Sequence, residues 1–172
     1  MTTAQHDGER HAPRADRRIP VIVLTDDMDL QGLAETIYNV NEYTVQTAAG
    51  MNQEHYINAR HRDRLVGRVA SVLHPILSPV FGQPPQYEDA YEQLAVLAEH
   101  LANDHIFADG NKRTALRTTL GLLGMQGVTL DVPDSDDPAV NELYQWIQDI
   151  VEHRRDTAAL AGFLRAHVIE RR

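Results

Sequence analysis

The chain contains no cysteine. That excludes disulfide frameworks, thiol catalysis and Cys-based zinc centres, and with them the small secreted domains that depend on such staples. Basic charge is scarce: 16 Lys and Arg stand against 25 Asp and Glu, for a net charge of -9. A broad footprint for duplex DNA is therefore not expected, although a local cationic pocket for a small phosphorylated ligand is compatible with the balance. Long hydrophobic runs are also missing, and nothing approaches the roughly 20 apolar residues that a membrane span needs. The charged start of the chain has no apolar segment behind it to act as a signal peptide. These absences lead us to expect a cytoplasmic protein with no membrane partner and no direct nucleic-acid binding. Internal repeats and low-complexity tracts are absent as well.

What is present suits one ordinary domain, since 172 residues at 42% hydrophobic can bury a sizeable core but not two. Residues 1–18, MTTAQHDGERHAPRADRR, hold almost nothing apolar; such a segment cannot offset its ordering entropy, and we expect a disordered arm. The domain should span 19–172, opening with IPVIVL as a short extended stretch. A helical pattern over 29–43 follows, with Leu30, Leu33, Ile37 and Val40 on one side. Residues 44–59 show no clear period and read either as a connecting loop or as a weak hairpin. Leu65, Val69, Val72 and Leu73 restore helical spacing, and Pro75 should end that helix. A proline-rich connection containing ILSPVF comes next.

Residues 88–104 place Tyr91, Leu94, Leu97, Ala98 and Leu101 on one face, with acids at the start where the helix dipole favours them, so a buried central helix is expected. Leu116, Leu120 and Leu123 carry a further stripe to about residue 126, and GVTLDV reads as an extended exit. Asp137 before Pro138 signals a helix over 138–154, and Asp156 caps a last short one containing Leu160, Phe163 and Leu164. The sum is an all-α bundle of about six helices.

At the junction of the fourth and fifth helix-like segments lies HIFADGNKR, residues 105–113. A helix beginning near Gly110 and Asn111 offers unpaired backbone N–H groups, and glycine lets a ligand approach the backbone closely. Lys112 and Arg113 in its first turn oppose the dipole at roughly 0.3–1 kcal/mol per exposed charge. A bound polyphosphate reverses that sign, with Lys supplying a point charge and Arg a bidentate fork. Asp109 beside these cations suits a Mg²⁺ ion shared with substrate phosphates. His105 is the one group of the motif titrating near neutral pH and is suited to general-base work on a hydroxyl. Phe107 reads as a structural anchor that buries its ring and fixes the loop. Taken singly, these residues have simpler readings: a histidine complementing a helix C-terminus, and an Asp-Gly turn leading into a helix with solvated cations. His55, Tyr56, His61 and His100 do not make a zinc site by spacing.

The combination resembles the Fic/Doc signature H-x-F-x-[DE]-[GA]-N-[GK]-R, with all seven restricted positions met. The layout from about residue 25 to 168, including RHRDRLVGRVASVLHP and YEDAYEQLAVLAEHLANDH, is similar to the death-on-curing (Doc) branch. The resemblance implies an all-helical Fic fold with a small β-hairpin flap, at 44–59, that aligns a target segment by strand addition. It implies transfer of a phosphate-containing group from ATP, with Mg²⁺, to a protein hydroxyl. On that basis His105 is the base, Asp109 the Mg²⁺ ligand, Gly110, Asn111 and Lys112 the anion-binding turn, and Arg113 a phosphate contact.

Members that transfer AMP typically carry glycine where this chain has Lys112, and proline where it has Ile106. The resemblance therefore favours a Doc-like kinase moving the γ-phosphoryl group to elongation factor Tu, as the toxin of a toxin–antitoxin pair. Gly110 departs from the alanine of the Doc prototype, which keeps a Fic-type AMP transferase as the alternative. A non-catalytic Fic-fold module is the third reading, and the intact motif argues against it. No full inhibitory motif [ST]-x-x-x-E-[GN] is found; TAQHDG at 3–8 comes nearest. Restraint is expected from a separate antitoxin, docking near ILSPVF or the C-terminal helices.

Overall fold

The computed structural model describes residues 18–48, 50–51, 59–75, 84–133, 135 and 137–171. Among them are six helices: α1 (Asp27–Thr47), α2 (Ala59–Leu73), α3 (Ala90–Asn103), α4 (Asn111–Met125), α5 (Glu142–Val151) and α6 (Thr157–Ala166). Strands β1 (Val128–Leu130) and β2 (Val168–Arg171) form one antiparallel pair, with Thr129 opposite Glu170. The architecture is thus all-α with a tiny sheet. No helix among the described residues is long and apolar enough to cross a membrane.

The core is organised around α3, all five of whose expected apolar residues are buried. Asp89 caps it, accepting hydrogen bonds from the backbone N–H groups of Tyr91 and Glu92 at 3.0 and 3.1 Å. Helices α2, α4, α5 and α6 pack around it, and α1 closes the outside against α2 and α4. IPVIVL runs over this core as a strap that joins no sheet. Gln93, fully buried, holds it by donating to the Ile22 carbonyl and accepting from the Ile22 N–H, both at 2.7 Å.

Asp89 also receives Arg165 from α6, Nε to Oδ2 at 2.8 Å and Nη2 to Oδ1 at 3.0 Å. That bidentate bond, chiefly, raises the Arg165 pKa above its usual value. The carboxylate is 1% exposed, so removing its partner leaves a buried charge short of a counterion. Arg165→Met is expected to lower stability by about 3 kcal/mol, read from a denaturant midpoint; a loss under about 0.5 kcal/mol would contradict the pairing's importance.

Several boundaries differ from the sequence expectation. Helix α1 continues to Thr47, and its buried side is Leu30, Ala34, Ile37, Asn41, Thr44 and Val45, with Leu33 and Val40 only half-buried. Thr44 and Thr47 return their hydroxyls to the carbonyls four residues back, which lets these β-branched residues stay helical. The predicted helix over 138–154 starts later and ends sooner. Asp137 instead closes a turn, accepting from the N–H groups of Ala139, Val140 and Asn141, and Asn141 caps α5 through the Tyr144 N–H at 2.9 Å. GVTLDV does extend, as β1, but its partner β2 was not foreseen. The motif lies between α3 and α4, not between a fourth and a fifth helix. The expected arm (1–17 of it), half of the flap segment (49 and 52–58) and ILSPVF (76–81) lie outside the described residues.

Candidate active site

The turn between α3 and α4 is held from both sides. On the α3 side, Arg64 donates to the Asp104 carbonyl at 2.7 Å and Arg68 pairs with its carboxylate at 2.6 Å. His105 follows in the left-handed region, φ 47°, with an exposed side chain. Ile106 and Phe107 then plunge into the core at 1% and 2% exposure, which fixes the turn just beyond the histidine. Asn111 closes the loop: its Oδ1 accepts from the Phe107 N–H at 3.2 Å and its Nδ2 donates to the Phe107 carbonyl at 2.9 Å. The Asn111 side chain therefore braces the loop, while its backbone N–H has no acceptor within the helix.

Gly110 is the N-cap of α4, left-handed at φ 76°, and no side chain caps that helix. The first intrahelical bond runs from the Thr114 N–H to the Gly110 carbonyl at 2.8 Å. The N–H groups of Asn111, Lys112 and Arg113 precede it and have no acceptor within the helix. Beneath the turn, buried Asn41 of α1 donates to the Asp109 carbonyl and to the Thr114 hydroxyl, each at 2.9 Å. Sequence reading missed Asn41; the available signal was a polar residue on the apolar side of α1, one turn after Ile37.

His105, Asp109, Gly110, Asn111, Lys112 and Arg113 all line one cavity of about 320 Å³, with Tyr144 and Val151 of α5 on the far wall. A second cavity of about 280 Å³ adjoins it, sharing Arg113 and Tyr144. Both sit near the lower end of the usual range for small-ligand sites, roughly 300–1,000 Å³. A larger groove of about 530 Å³ between α1 and α2 contains none of the motif. The site is assigned to the motif cavity on chemistry rather than size: cations and uncapped N–H groups converge there. Arg113 is half-buried and makes no ion pair among the described residues. Lys112, also half-buried, donates its ammonium to Gln148 of α5, a residue that no local signal in the chain singles out.

Asp109 is half-buried at the same wall and accepts from the Gly110 N–H at 2.6 Å. Among the described residues no three His, Asp or Glu side chains gather into an all-protein metal centre. One carboxylate beside a polyphosphate cradle is nonetheless a fitting donor set for Mg²⁺, which commonly takes one or two carboxylates and completes its shell with phosphate oxygens and water.

No curated protein matches the chain in sequence. The family model of the Fic/DOC family matches residues 30–123, from the first turn of α1 through nearly all of α4. That span is more than half of the chain and contains every residue of the motif turn, and the chain belongs to the Fic/DOC family, whose members transfer nucleotide or phosphate groups to proteins using ATP and a divalent metal.

Proposed function

We propose that the protein is a Doc-like kinase that transfers the γ-phosphoryl group of ATP to a hydroxyl of a target protein. The observation that carries this reading is Lys112 on the first turn of α4, lining the same cavity as His105 and Asp109. The uncapped N–H groups of α4, Lys112 and Arg113 bind and orient the phosphates, where helix dipole and side-chain charge act together. Asp109 holds Mg²⁺, which when bound neutralises charge on the transferring phosphate. His105, exposed at the rim, accepts the proton of the incoming hydroxyl. The hydroxyl oxygen bonds to the γ-phosphorus, the bond from that phosphorus to the bridging oxygen breaks, and ADP leaves.

The target expected of this branch is elongation factor Tu, so that the protein acts as a translation-arresting toxin in the cytoplasm, restrained by a separate antitoxin chain. AMP transfer is the second reading, favoured by glycine at position 110. The two chemistries leave different products: γ-transfer yields ADP, whereas AMP transfer yields pyrophosphate. Analysis of the spent nucleotide after reaction with purified elongation factor Tu should show ADP formed in step with target modification; pyrophosphate instead would overturn the kinase reading. Induced expression should arrest bacterial growth, and unimpeded growth would remove the toxin assignment alone.

A further inference from the structure

The Lys112 ammonium donates to Oε1 of Gln148, 36 residues away on α5, outside the span that the family model matches. Nε2 of Gln148 in turn donates to Glu152, one helical turn on. Glu152 pairs with Arg154, which also reaches Asp149 at 2.6 Å. This order of partners has a chemical direction. An amide has one acceptor end and one donor end; because Glu152 can only accept, it takes the Nε2 end and leaves Oε1 facing the ammonium. A neutral oxygen then holds Lys112 without neutralising it, using one of three N–H donors and leaving its charge for a ligand. The charge of Glu152 is offset by Arg154 rather than by Lys112. Tyr144, Gln148 and Val151 follow at helical spacing, and Tyr144 and Val151 line the motif cavity.

We propose that Gln148 is a positioning residue for Lys112, setting the reach of the ammonium over the phosphate cradle, with Glu152 fixing which end of the amide faces it. The proposal rests on the phosphate-site reading given above. Replacing the amide by a carboxylate would convert a held cation into an ion pair that competes with the ligand. Replacing it by an apolar side chain of similar length would release the ammonium.

The test is calorimetric binding of a non-hydrolysable ATP analogue with Mg²⁺ to the full chain. Gln148→Met should weaken binding about two- to tenfold, the worth of one ordinary hydrogen bond, and Gln148→Glu should weaken it by about tenfold or more. The deciding comparison is a double-mutant cycle: in a Lys112→Met background, Gln148→Glu should have little further effect. An equal loss in both backgrounds would mean that Gln148 acts on the fold and not through Lys112, and would overturn the proposal. Unchanged binding by Gln148→Glu in the otherwise native chain would overturn it too, while leaving the phosphate site standing. If the native chain binds no analogue, the phosphate site and this proposal fall together.

Discussion

Replacing His105 by alanine is expected to reduce group transfer by about 10²–10⁴-fold, the usual contribution of a general base, while the protein stays folded. The side chain is exposed, and the turn is positioned by its neighbours: Asp104 is gripped by Arg64 and Arg68, and Ile106 and Phe107 are buried. Nothing in the packing depends on the imidazole. The backbone imposes only a small cost: φ at this residue is 47°, the Cβ penalty of that region is already borne by the histidine, and alanine loses just the greater tolerance that histidine has for it. Asparagine tolerates that region, so His105→Asn separates chemistry from strain. Both variants should lack transfer, and the asparagine variant should melt close to the native temperature. Transfer retained by either would remove His105 from the role of base.

Gly110→Ala should damage both stability and the site. At φ 76° any side chain is strained, and a Cβ here would meet Asn41 Nδ2 at 3.0 Å and Val45 Cγ2 at 3.2 Å. Strain of about 1–2 kcal/mol and overpacking of about 1–3 kcal/mol together predict a loss of about 2–5 kcal/mol in a denaturant titration. Asn41 can yield only by disturbing its bonds to Asp109 and Thr114, so the N-terminus of α4 shifts with it. The KM for ATP should therefore rise as well as the midpoint fall. A variant of native stability and KM would show that α1 does not constrain the turn. The left-handed φ and the close approach of α1 together account for glycine at this position.

How far the sequence reveals this structure depends on the distance over which each signal acts. Asp156 announces its helix because a cap and the N–H group it serves lie within three residues. Pro75 ends α2 by equally local means. Asp137 misleads for the same reason: it and Asn141 are both capping residues, and Pro138 fits a turn as well as a first helical position. Only the packing of Leu143, Ile147 and Ile150 against the core decides that α5 starts at the second cap. Thr44 and Val45 are poor helix formers in isolation, and burial against the neighbouring helices carries α1 past them.

The candidate site divides along the same line. The nine motif residues are contiguous, so their chemistry can be read directly. Their supports cannot: Asn41 acts across 68 and 73 residues of chain and Gln148 across 36. Periodicity records that a position faces inward, but not which polar partner meets it there. For the same reason the sequence does not show that the Asn111 side chain bonds both backbone groups of Phe107, which leaves its place in the anion-binding turn to the backbone N–H.

The central claim is that this Fic/DOC cradle delivers the γ-phosphoryl group, and transfer from ATP labelled separately at the α and γ positions to purified elongation factor Tu tests it most directly. Label should reach the target from γ-labelled ATP only, and from neither when His105 is replaced by asparagine. Label arriving from α-labelled ATP alone would contradict the claim and make the protein an AMP transferase.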